Sequence, residues 1–327
     1  MDLQDTTRNQ HFVSQVEQRL NAINPSAKAV NQKIYSFSVV DRESYLIELD
    51  SPNGLKINKT LSLTDIFSFD ILEGTAERYN FEKLFHQYEA DINFNTISLI
   101  SKLSIPGSDI KPEILNLFAS KLLNFVRNPY SIKKVLNTFP ALKNVYPTNP
   151  VHYKNFEKVL QGRKPQQQQL CKHLRISEEE YSDWLGVIFL LLTHLEDGRT
   201  NFLEQVIKGL FENPDNFIMI IVYTYDDKTC LLSDRGYSIP LPEQEHMAWD
   251  FNLNSHGFIR YIFGDLDTLL PPNTPKSIIE KYKARQKSIN VSHVINDLDT
   301  LGQYNKHVVY QCYKNIFSST IKCYGLG

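Results

Sequence analysis

The stretch FIMIIVYTY, residues 217–225, decides the fold class. It is an uncharged run of β-branched and aromatic residues, and it follows ENPDN (212–216), where proline, asparagine and aspartate break a helix. The region from 76 to 211 before it reads as mainly helical. A strand at 217–225 therefore means that a sheet resumes after a helical region. An earlier sheet is already predicted, because KIYSFSVVDRESYLIEL (33–49) alternates on both sides of DRE like a hairpin, SPNG (51–54) is a turn, and KTLSLTDIFSFDIL (59–72) extends the pattern.

Three segments follow: a strand-rich part at 1–75, a helical part at 76–211, and an α/β part at 212–327 that packs with the first as one unit. The class is α+β, with strand-containing ends flanking a mainly helical middle and the helices inserted into one sheet. Phe81, Leu84, Phe85, Tyr88 and Ile92 predict one long amphipathic helix over 76–103. Pro112 opens another helix, which Pro129 stops, and Ser177 with Glu180 forms a capping box ahead of WLGVIFLLL (184–192). KTCLLSDRGYSIPL (228–241) reads as strands turning at Arg235 and Gly236, and GFIRYIF (257–263) as a further strand. NKHVVYQCYKNIFSS (305–319) reads as a closing helix carrying Val308, Val309, Cys312, Ile316 and Phe317.

The 35 basic and 37 acidic residues give a net charge of −2, so electrostatic attraction to a partner must be local. The apolar run at 184–192 is shorter than the roughly 20 residues that span a bilayer, the first residues lack a secretory pattern, and no membrane is expected as a partner. The four cysteines show no zinc spacing. Free thiols and a cytoplasmic location are the expectation. No phosphate-binding loop, dinucleotide fingerprint or nucleophile elbow occurs. Basic bias appears in KNFEKVLQGRKPQQQQLCKHLR (154–175) and PKSIIEKYKARQK (275–287), as on a nucleic-acid track or a solvated helix face.

Four stretches in order resemble the bacterial family called domain of unknown function 4238: QHFVSQ (10–15), LLNFVRNP (122–129), LLSDRGY (231–237) and NKHVVYQCYKNIFSS (305–319). Ser14 stands where the family has proline, and Arg235 and Gly236 replace its asparagine and proline. The resemblance points to His11, Arg127, Ser233, Asp234 and Asn305, with Glu82 or Glu89 as a helix carboxylate. It implies an accessory or effector protein of bacterial defence or toxin systems, for which a neutralising antitoxin protein is the expected partner.

Such dispersed polar residues converge either on an active site or in a structural network. His11 followed by Ser14 resembles the first strand of some ADP-ribosyltransferases and RNA 2′-phosphotransferases, which holds the ribose of NAD. Glu243 and Glu245 have the E-x-E spacing of another branch, in which a carboxylate supports the transition state. These readings give a toxin-type effector acting on nucleic acid by ADP-ribosyl transfer. In it NAD is co-substrate, His11, Glu243, Glu245 and Asp234 are catalytic, and His11, Ser14, Arg127, Arg235 and Asn305 bind the cofactor. A nuclease gathering magnesium (Mg) at Asp226, Asp227 and Asp234 beside Lys228 is the first alternative. A binding protein whose polar residues are structural is the second.

Overall fold

The computed structural model describes residues 3–71, 78–195, 199–240, 247–265, 271, 273–284 and 289–326, the side chains of Tyr282 and Asn290 aside. The chain begins with β1 (Asn9–His11), α1 (Gln15–Arg19), β2 (Lys33–Asp41), β3 (Leu46–Leu49), β4 (Leu55–Lys56) and β5 (Ser62–Thr64). A helical middle follows: α2 (Glu82–Glu89), α3 (Ile92–Leu103), α4 (Lys111–Arg127), α5 (Ile132–Thr138), α6 (Pro150–Gln161), α7 (Gln167–Leu174), α8 (Glu178–Leu192) and α9 (Phe202–Glu212). The last part comprises β6 (Asn216–Thr224), β7 (Leu232–Ser233), β8 (Met247–Asn254), β9 (Gly257–Asp265), α10 (Lys276–Ala284), β10 (Asn290–Ile295), α11 (Leu298–Gln311) and β11 (Asn315–Ser318).

The run at 217–225 is almost wholly apolar because β6 is covered on both faces. Ile218, Ile220 and Val222 point into a large core shared with the helices. Tyr223 and Tyr225 point the other way, into a second core with Phe258, Tyr304 and Val308. There the Phe258 ring lies flat against Tyr223 at 4.5 Å and against Tyr304 at 4.1 Å. β6 sits inside a sheet ordered β10-β6-β9-β8, with β10 parallel to β6 and the other pairs antiparallel.

A second sheet runs β3-β2-β11-β7, with β4 also on β2, and so joins N-terminal strands to late ones around the inserted helices. The α+β class, strands at both ends of a helical middle, is what the chain adopts. The large core includes Phe12, Ile34, Leu123, Trp184, Ile220 and Phe317, which come from all three sequence segments.

Helix α8 is buried on every side from Trp184 to Leu192, as an all-round apolar helix must be. Ser177 and Glu180 form the capping box at its start. Trp184 Nε1 donates to the carbonyl of Val126 at 2.7 Å, and the Tyr181 hydroxyl to that of Ile66 at 2.6 Å. Each large side chain buried this way contributes roughly 1.5–3 kcal/mol. No helix among the described residues is long and apolar enough to cross a membrane.

Two expected helices are corrected. The helix expected over 76–103 is, in its described part, two helices, α2 and α3, with Ala90 and Asp91 between them and the Ser120 hydroxyl of α4 donating to the carbonyl of Tyr88 just before the break. The closing helix starts earlier, at Leu298 behind the cap Asp297, and stops at Gln311. Ile316 and Phe317 lie instead on β11, between β2 and β7.

Candidate functional site

Helix α4 carries Lys121, Asn124 and Arg127 three residues apart, which puts them on one face. That face closes a polar seam against α1 and α2. Lys121 Nζ lies 2.7 Å from Glu17 Oε2, with both side chains 1% exposed, and also donates to the carbonyl of Asn252 on β8 at 2.6 Å. Asn124 bridges two ion pairs: its amide donates to Glu17 at 2.6 Å, and its carbonyl accepts from Arg127 at 2.8 Å. Arg127 in turn pairs with Glu89, and its guanidinium sits 4.9 Å from the centre of the Phe85 ring. Charges this dry persist only when paired, because each costs several kcal/mol to desolvate.

His11 borders this seam from β1. Its Nδ1 lies 3.5 Å from the Gln18 amide, which also donates to the carbonyl of Val13, while the Thr60 hydroxyl donates to Gln18 Oε1 at 2.6 Å. Burial, together with the charge of Arg127, pushes the His11 imidazole down to about 4, so it is neutral at pH 7. Glu82 moves the opposite way. Burial raises its carboxyl to about 7, although Arg127 pulls it down, and Glu89 and Asp5 add to the rise. Among the described residues, neither Glu82 Oε1 nor Arg127 Nε has a hydrogen-bond partner.

His11 and Glu82 thus both feel the charge of Arg127, which pairs with Glu89. The other described candidates are held by partners of their own. Ser14 is the N-cap of α1, accepting from the Val16 N–H at 3.1 Å. Asp234 accepts from the backbone N–H groups of Tyr313, Lys314 and Asn315 at 2.7–2.9 Å, which fixes the chain between α11 and β11. Burial still pushes its carboxyl upward. The Asn305 carbonyl accepts from the Leu231 N–H at 3.0 Å, and its amide donates to the carbonyls of Thr229 and Tyr324. Glu243 and Glu245 lie outside the described residues.

Three of the four stretches quoted from the sequence meet through hydrogen bonds, and the first reaches them by the contact of Val13 with Gly236. The Asn128 amide donates to the carbonyl of Asp234 at 2.9 Å. Gly236, at φ +78°, lies against α4, where a Cβ would stand in ordinary contact 3.5 Å from Asn124 and 3.7 Å from Val13. The turn at 234–236 therefore has one face on the seam.

Its other face opens on a cleft of about 730 Å³. Arg42, Lys134 and Arg235 line it with Tyr45, Tyr237, Tyr310 and Tyr313, and among the described residues no carboxylate lines it. Tyr313 lies flat on Tyr130 at 4.1 Å, so its ring is fixed. Lys134 Nζ is 5.9 Å from the centre of the Tyr237 ring. Arg42 donates to the carbonyls of Tyr310 and Cys312 at 2.7 Å and of Tyr313 at 2.6 Å, covering the end of α11, where carbonyls gather negative charge. His307 also lines the cleft, and burial lowers its pKa below the ordinary value. His11 and Arg127 do not line it.

Of this cleft the sequence pointed only to Arg235. The signal that could have found it is the tyrosines at 310 and 313, which lie beside the stretch that ends α11.

The acids of the nuclease alternative stand apart. Asp226 is held by Asn296, whose amide donates to it at 2.7 Å, and Asp234 is occupied by backbone. No group of three or more His, Cys, Asp or Glu side chains converges in metal-binding fashion among the described residues. In the first basic stretch, Lys158 pairs with Asp70 at 3.2 Å, and Lys164 turns inward onto the carbonyls of Leu160 and Gly162.

No family model matches the chain, and no curated protein or solved structure is significantly similar to it.

Proposed function

We propose that the protein binds a phosphate-bearing nucleoside in the tyrosine-lined cleft, as the recognition step of a toxin-type effector acting on nucleic acid. The observation that supports this reading is the cleft lining: arginine and lysine with no carboxylate among the described residues, interleaved with tyrosine rings. Tyrosine faces receive a flat base, and a guanidinium fork suits phosphate oxygens. NAD is the first ligand to test, with Arg235 meeting the pyrophosphate.

ADP-ribosyl transfer is the reaction we attach to this binding. A nucleophile on the target would form a bond to the ribose anomeric carbon, the bond to nicotinamide would break, and nicotinamide would leave with its electron pair. Glu243 or Glu245 would support the cationic transition state.

Calorimetric titration with NAD and AMP tests the binding. Saturable binding that Arg235→Ala weakens about tenfold is expected, and absence of binding by either ligand removes the proposal. Labelled NAD incubated with protein and RNA tests the reaction separately. Label that stays off the RNA removes the transfer and leaves the binding in place.

A further inference from the structure

We infer that the natural occupant of the cleft is single-stranded nucleic acid, bound along a track of several phosphates, rather than one free nucleotide. This rests on the nucleotide reading above and extends it. An enclosed mononucleotide site covers its aromatic faces and converges its donors on one phosphate group. This cleft does neither.

Tyr310 is 48% exposed at its rim. Tyr45, also in the wall, stands at the tip of the β2–β3 hairpin in the left-handed region at φ +57°, where a bulky side chain is uncommon. Tyr310 leaves ring surface that a single base would not cover, while Tyr45 is half-buried and has the Lys306 ammonium over its ring. Stacking on such rings tolerates any base, but it requires bases freed from a duplex.

The cations are spread in the same manner. Lys134 comes from α5, Arg235 from the turn after β7, and Arg42 from the hairpin. Lys306, on α11, continues past the wall, with Nζ 5.4 Å from the centre of the Tyr45 ring. Arg42 is already committed to the carbonyls that end α11, so its part is to cancel their charge, which would otherwise repel a phosphate backbone. Lys134, Arg235 and Lys306 remain to meet phosphates. No described ion pair involves any of the three.

The experiment is an anisotropy titration of the full chain with one fluorescein-labelled octanucleotide as RNA, as DNA and as duplex, with AMP and NAD as competitors, over a range of salt. We expect either single strand to bind at least about tenfold more tightly than AMP, since each stacked base adds affinity. The log of the binding constant should fall with log salt at a slope of about −2, the value for three phosphates on a single strand. Lys134→Ala, Arg235→Ala and Lys306→Ala should each flatten that slope by about 0.7. Tyr310→Ala, at an exposed position, should weaken binding about tenfold without moving the melting temperature.

An octamer that binds no better than AMP overturns this inference and leaves nucleotide binding standing. Failure of octamer, AMP and NAD alike removes both. Duplex binding as tight as single-strand binding, or a polyglutamate peptide competing as well as the octamer, also overturns the inference.

Discussion

The seam and the cleft use the same kinds of residue to opposite ends. In the seam, Lys121 and Arg127 are 1% exposed and each has a carboxylate partner. In the cleft, Lys134 and Arg235 face an open space whose lining holds no carboxylate among the described residues. A charge buried with its counter-ion ties together the elements that carry the two. A charge left open is available to something that arrives. Gly236 and its turn lie between the regions, so the comparison can be tested one side at a time.

The largest effect is expected in the seam. Lys121→Met leaves Glu17 buried without its cation and should cost about 3–5 kcal/mol in chemical denaturation. Adding Glu17→Leu should restore most of that loss. A double variant as unstable as the single would show that the two charges do not act as a pair.

The pH dependence of stability separates His11 from Glu82. The folded pKa of His11 is depressed to about 4, so its contribution is complete above its unfolded value near 6.5 and is lost as pH falls towards 4. Glu82 is raised to about 7, so its contribution is complete below its unfolded value near 4.5 and is lost as pH rises to 7. Between 4.5 and 6.5 the two slopes oppose each other. Glu82→Gln should therefore reveal a stability that climbs with pH across that window, on the order of 2–3 kcal/mol. Denaturant melts at a series of pH values decide this, and a flat profile for the variant would contradict the assigned shifts.

On the cleft side, Arg235→Ala should weaken ligand binding by about 1.4 kcal/mol while changing stability by less than about 0.5 kcal/mol. Loss of fold together with binding would place Arg235 in the seam's class. The smallest effect belongs to the turn between them. Gly236→Ala has room for the methyl group, so only the left-handed backbone resists it, at about 1 kcal/mol. The variant should show that stability loss in thermal melts and a modest loss of affinity.

What the sequence made legible was local. β6 announced itself because covering on both faces demands a nearly unbroken apolar run, and α8 because Ser177 and Glu180 cap it. The break between α2 and α3 was hidden, since the apolar spacing from Tyr88 to Ile92 runs across Ala90 and Asp91 without interruption. The end of α11 was hidden too, being set by Asp234 and Arg42. Among candidate residues, His11, Arg127 and the two glutamates were recognisable as polar groups, and the charge of Arg127 links them. The cleft was not recognisable, because its tyrosines and cations come from a hairpin, a helix, a turn and a late helix end, and no motif spans them.

The position of β11 bears on how the molecule is made. Because β11 lies between β2 and β7, the edges of those two strands have no partner there until residue 318 has been synthesised. At ordinary elongation rates β2 waits on the ribosome for on the order of tens of seconds with that edge bare. A nascent chain in this interval is open to mispairing and to chaperone capture, and one stalled before residue 315 would carry a sheet it has no means to close.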